Sequence, residues 1–282
     1  MDLVGSITPP SISQCKFFLT ITDQASLYKI VSFLKNKSEC FEKFKTIKKK
    51  IEVKQERKIK RIVSDWEGEF LNQQFAKLTT ECGIIHTFAL TETPQHNGYA
   101  ERTNQTLLDK ARGMLNATNL TKQYWAEAIN TTTFISNLTP TISRNNQSPA
   151  AIWNNNQPTL TKLRVFGCQA ITFKLKKEHS WKLDQRGQEG IMLVYENENT
   201  AYRILQLHDR KTIITRHVKF NEKIFPKISN NTSHEEKWTG ITEEQSKIAT
   251  ASTTNNDHPI EKETEAQQPI QEINENRENN EE

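Results

Sequence analysis

The run Ile59-Lys60-Arg61-Ile62-Val63-Ser64-Asp65 constrains this chain more than any other stretch. Its β-branched and apolar centre suits a buried strand, and the carboxylate of Asp65 falls at the C-terminal tip, facing an open crevice. Thirty-five residues separate Asp65 from a second acid, Glu101. Before Glu101 stands Thr93-Pro94-Gln95-His96-Asn97-Gly98, a turn-forming loop in which Asn97 is a candidate N-cap. A helix is therefore expected from Asn97, with Glu101 in its first turn or just beyond. Carboxylates from a strand end and a helix start can share a divalent cation, and a third acid would let them hold two ions for in-line phosphoryl chemistry. Taken alone, an Asp and a Glu at this spacing read as two solvated surface acids.

The flanking residues are more specific. Ser64-Asp65-x-x-Gly68-Glu69-Phe70, then Gly83-Ile84-x-His86, then Thr93-Pro94-Gln95-His96-Asn97-Gly98-Tyr99-Ala100-Glu101-Arg102 resemble the integrase core of copia-type retrotransposons. The resemblance implies an RNase H-like fold carrying a triad of acids that binds two magnesium or manganese ions for cleavage and joining of DNA ends. Asp65 and Glu101 would be its second and third acids. The family's first acid lies in a His-Thr-Asp-Val-x-Gly-Pro type segment, which Met1-Asp2-Leu3-Val4-Gly5-Ser6 resembles, giving Asp2. Where the family usually reads Ser-Asp-Asn-Gly-Gly-Glu-Phe, this chain has Trp66 and Glu67. Trp66 is then either a core aromatic or a stacking platform for a splayed base. Thr103 and Gln105 stand where family members commonly carry basic residues, and the family's preceding zinc module is not found in this sequence. A truncated or decayed copy is one expectation. The alternatives are an inactive nucleic-acid-binding remnant or co-opted interaction module, and an RNase H-like nuclease.

Charge divides the chain. Four of its 38 Lys and Arg and thirteen of its 34 Asp and Glu fall after residue 228, which leaves the first 228 residues with 34 basic against 21 acidic. A basic body suits a polyanion such as DNA, although basic charge also serves solubility. Lys48, Lys49, Lys50, Lys58, Lys60 and Arg61 form one cluster, and Arg102, Lys110 and Arg112 lie on the expected helix after Gly98. With Gln95, His96 and Asn97 of the loop, these are the candidate DNA contacts. Cys15, Cys40, Cys82 and Cys168 stand apart, without a C-x-x-C pair, so buried free thiols and no zinc are expected. His86 and His96 lack a partner at metal spacing. No apolar run reaches membrane-spanning length and no signal peptide is evident, so the expectation is an intracellular protein, nuclear or cytoplasmic, with no membrane or small-molecule cofactor. DNA and further copies of the chain are the expected partners.

Along the chain, residues 16–24 and 27–34 read as an antiparallel hairpin. Cys40, Phe41, Phe44, Ile47 and Ile51 fall at helical spacing within 38–55. The strand to Asp65 follows, then a helix around Phe70, Phe75, Leu78 and Cys82, and a strand from Ile84 to Ala89. After Gly98, Ala100, Leu107, Ala111 and Leu115 form one helical stripe. Residues 122–138 continue helically, with Trp125, Ala128, Ile129, Thr132 and Ile135 on one face, and a short helix follows at 149–153. Five short strands from Leu163 to Phe220 suggest a small all-β barrel. Leu163-Arg164-Val165-Phe166-Gly167-Cys168, Lys182-Leu183-Asp184 and Tyr202-Arg203 resemble the Src-homology-three-like barrel that follows the core in copia-type polyproteins. The expected architecture is α/β: an RNase H-like mixed five-stranded sheet with its helices over 1–155, a linker over 156–162, the barrel over 163–227, and an acidic tail over 228–282 too poor in aromatics to order itself.

Overall fold

The computed structural model describes residues 1–89, 94–173, 187–196 and 200–228, with backbone alone for 94–97 and 99. The expected disorder of the tail and the Lys182-Leu183-Asp184 motif lie outside the described residues. Every element below belongs to one compact unit, Met1–Trp238.

Strands β1 (Asp2–Gly5), β2 (Phe17–Thr22) and β3 (Lys29–Leu34) form an antiparallel meander, with Asp2 opposite Thr20 and Ile21 opposite Ile30. The hairpin is where the alternation placed it. Helix α1 (Cys40–Gln55) buries Cys40, Phe44 and Ile47 and leaves Lys45, Lys49, Lys50 and Lys54 exposed. Next come β4 (Arg61–Ser64), α2 (Gln73–Cys82) and β5 (Ile85–Phe88), a crossover in which β4 and β5 pair in parallel. The ends of α2 are set by sequence. Asn72 accepts a hydrogen bond from the Phe75 amide at 3.0 Å, and Gly83 closes the helix at φ +63°, a left-handed cap that suits glycine. The five strands of this lobe are hydrogen-bonded as a set of three and a set of two. The α-amino group of Met1 links the sets by donating to the Val63 carbonyl at 2.6 Å.

Helix α3 spans Pro94–Ala117, three residues earlier than Asn97 would have started it. Proline fits the first helical position, where its missing N–H costs no bond and its fixed φ is already helical, so Pro94 opens the helix and Asn97 lies inside it. Leu107 and Ala111 of the expected stripe are buried. Helix α4 (Trp125–Leu138) departs further from expectation: it is buried on nearly all sides, not on one face. It packs against α3, against β3 and against the second lobe, so little of its surface meets water. The Asn137 side chain both accepts from the Lys29 amide and donates to the Lys29 carbonyl, each at 2.8 Å, fixing α4 to the meander. The short helix α5 (Pro149–Asn154) is capped by Ser148.

The second lobe is one antiparallel sheet in the order β10-β6-β7-β8-β9, built from β6 (Gln169–Phe173), β7 (Gly187–Glu196), β8 (Ala201–Gln206), β9 (Thr212–Thr215) and β10 (Val218–Asn221). Residues 163–168, expected to open its first strand, lie before it, with a turn at 166–167. Gly167 adopts φ +80° with Thr118 so close that a Cβ would collide with its side chain at 2.3 Å. Apolar packing runs through both lobes: Phe18, Leu107, Trp125 and Ile129 share a cluster with Ile191, Leu193 and Leu205. A second cluster, with Leu19, Phe44, Ile62, Phe70 and Phe75, lies under α1 and α2.

Candidate active site at the strand tips

Asp2 enters on β1 and Asp65 follows the last residue of β4. Burial pushes the Asp65 carboxyl up to about 6, and the charges of Asp2, Glu67 and Glu69 push in the same direction, while a hydrogen bond from the Glu67 amide to Oδ1 at 3.2 Å opposes them. The buried α-amino group of Met1 is lowered by desolvation and feels both Asp2 and Asp65.

Glu101 is exposed on α3. Among the described residues, no three His, Cys, Asp or Glu side chains stand close enough to hold a metal ion. Asp2, Asp65 and Glu101 were expected to share cations; the side-chain contact that α3 makes with Asp2 comes from another residue. Asn104, three residues after Glu101 and some 60° from it around the axis at about 100° per residue, takes the position facing Asp2. Its Nδ2 donates to Asp2 Oδ2 at 2.7 Å, and its own Oδ1 is buried without a hydrogen-bond partner. Asp2, Ala100 and Asn104 line a cavity of about 270 Å³ with Thr20 and the edge of β4. Sequence reasoning missed Asn104. The signal was its spacing: four residues after Ala100 and three before Leu107, it falls on the stripe that packs.

Trp66 is 51% exposed, so the core-aromatic reading fails. Its indole rests on Phe88 at 5.1 Å between ring centroids, and Phe88 rests on His86 at 4.1 Å. His86 Nε2 lies 2.9 Å from Ser64 Oγ, which donates to the Asp65 carbonyl at 3.0 Å. Burial, with help from the Met1 amino group, holds the His86 imidazole below its ordinary range. The histidine thus braces the strand tip that carries Asp65.

Of the candidate DNA contacts, Lys49, Lys50, Lys58, Lys60, Arg61, Arg102, Lys110 and Arg112 are exposed. Lys48 differs: its ammonium donates to Glu52 at 2.7 Å and its side chain is largely covered, so its charge is already engaged. Arg112 pairs with Asp109 at 2.7 Å, and Lys110 reaches Ser136 Oγ at 3.5 Å. The side chains of Gln95, His96 and Asn97 lie outside the described residues. All four cysteines are free; Cys15, Cys40 and Cys168 are buried as expected, whereas Cys82, in the last turn of α2, is exposed.

With that geometry in place, similarity to known proteins defines the class. Residues 168–233 match the family model of the retroviral polymerase SH3-like domain. The homologues of the chain are retrovirus-related Pol polyproteins from copia-type plant transposons. It is 34% identical over 221 residues to the Pol polyprotein from transposon TNT 1-94 of Nicotiana tabacum, a match covering 78% of this chain and 17% of that protein. Against the Pol polyprotein from transposon RE1 of Arabidopsis thaliana it is 30% identical over 211 residues, covering 75% of this chain and 14% of the relative. The chain thus spans less than a fifth of the length of either relative. Among solved structures, a magnesium complex of the HTLV-2 integrase catalytic core domain aligns with a TM-score of 0.39 at 22% identity, covering 54% of this chain and 94% of that one.

Proposed function

We propose that this chain is the integrase portion of a retrotransposon Pol sequence, a polynucleotidyl transferase that joins 3′-hydroxyl DNA ends to target DNA. The observation that carries the reading is the placement of Asp2 on β1 and of Asp65 just beyond β4, two strands tied together by the Met1 amino group, in a chain similar to transposon Pol polyproteins. Two carboxylates that repel each other at a partly desolvated strand tip are hard-oxygen donors suited to magnesium or manganese. Such ions would lower the barrier by activating the attacking oxygen and stabilising the leaving one. In this reading Asp2 and Asp65 hold the cation, Asn104 orients Asp2, and His86 with Ser64 fixes the tip that bears Asp65. Glu101, one turn before Asn104 and exposed, is the third acid and supplies its carboxylate from α3. Lys49, Lys50, Lys58, Lys60, Arg61, Arg102, Lys110 and Arg112 offer exposed charge to DNA phosphates, so affinity for duplex DNA falls steeply with salt.

A second reading, a DNA-binding remnant without catalysis, is favoured by one observation: the three acids do not gather into a cation-holding cluster among the described residues. A strand-transfer assay in manganese separates the two. Joined product from the unaltered chain, abolished by Asp65→Asn and by Glu101→Gln, supports the transferase. Duplex binding with no product under any metal supports the remnant.

A further inference from the structure

Trp66 immediately follows Asp65, and half of its surface is open to solvent. The ring is not loose. It lies on Phe88, tilted by 39°, Phe88 lies on His86, and His86 lies over Phe75 at 6.2 Å. Phe75 is fully buried and packed against Phe41, Phe44 and Phe70. A continuous run of rings therefore rises from the core to the surface and holds one side of the indole, leaving the rest outward. Beside it Gly68 presents open space, since a Cβ there would meet nothing within 4 Å.

The charges near this aromatic surface bear on what can rest on it. Glu67 follows Trp66 in the chain, and Lys37 is ion-paired to it at 3.5 Å and also to Glu69. A phosphate would meet carboxylates there, and the nearby ammonium is already engaged. An uncharged, flat π-surface meets no such opposition, and base stacking on an aromatic ring tolerates any base sequence.

We propose that Trp66 is a stacking platform for an unpaired nucleobase next to the phosphodiester that reacts at Asp2 and Asp65. The inference rests on the transferase reading but is tested apart from activity. The probe is a DNA duplex whose overhanging terminal base is 2-aminopurine, added to the full chain and compared with a blunt duplex of the same length. The unaltered chain is expected to quench the fluorophore and to bind the overhang duplex more tightly than the blunt one. Trp66→Ala is expected to lose the quenching and to weaken overhang binding roughly tenfold, leaving blunt-duplex affinity unchanged. Trp66→Phe keeps a π-face and should retain most of the preference, which guards against an effect of misfolding. Equal binding of both duplexes by the unaltered chain, or overhang affinity unaffected in Trp66→Ala, overturns the inference and leaves the transferase reading standing; the indole would then belong to a protein contact. Failure of the unaltered chain to bind either duplex overturns both.

Discussion

Glu127 in α4 and Asp65 beyond β4 are both carboxyls pushed up by burial, yet they sit in opposite surroundings. Glu127 is buried in a helix enclosed by both lobes, with the charge of Arg203 drawing it back toward ionisation. At Asp65 the charges of Asp2, Glu67 and Glu69 resist ionisation, and only the hydrogen bond from the Glu67 amide favours it. The first region is organised for packing: Thr131 Oγ1 donates to the Leu193 carbonyl at 2.7 Å, and Phe134 stacks on Tyr195 at 4.5 Å between centroids. The second is organised around like charge beside a cavity, an arrangement that weakens a fold and suits a cation.

The sharpest way to test that division is to damage the packed region. Ile129, 1% exposed, anchors the cluster shared by the lobes, so Ile129→Ala is expected to cost about 2–5 kcal/mol in chemical denaturation. Trp66→Ala should change stability by less than about 1 kcal/mol if the strand-tip region contributes little to it. Comparable losses would erase the contrast. Thr131→Val removes the bond to the second lobe and strands the buried Leu193 carbonyl, with an expected cost of about 1–3 kcal/mol read from the same curves. A loss near zero would mean that this hydrogen bond adds little to the apolar packing between the lobes.

At the charged end the sign reverses. Because the Asp65 carboxyl titrates higher in the folded chain than in the unfolded one, its contribution to stability is present below the unfolded value near 4 and is lost as pH rises through about 6. Asp65→Asn should therefore raise the thermal midpoint at pH 7 by roughly a few degrees and leave it little changed at pH 4. A lower midpoint at pH 7 would mean that Asp65 is held by favourable partners, contrary to the charges around it.

Much of this was legible in residue patterns, and the exceptions have physical causes. The hairpin, α1 and α2 followed alternation and helical spacing, while the caps of α2 at Asn72 and Gly83 were not read from the sequence. The full burial of α4 was not legible, since a one-sided stripe cannot announce that a later sheet will cover the other side. Asp65 was placed at its strand tip by the apolar run before it, but Asn104 was hidden because an amide on a packed stripe reads as filler until Asp2 is seen opposite. Trp66 was undecided because bulk alone does not tell a buried ring from one propped outward on Phe88.

The central claim is that the charge repulsion at Asp2 and Asp65 is relieved by a divalent cation. Calorimetric titration of the full chain with manganese at pH 7.5, repeated with Asp2→Asn and Asp65→Asn, tests it most directly. The account predicts saturable binding by the unaltered chain, at least tenfold weaker in either variant. Unchanged affinity in both variants, or no binding in any, would contradict it.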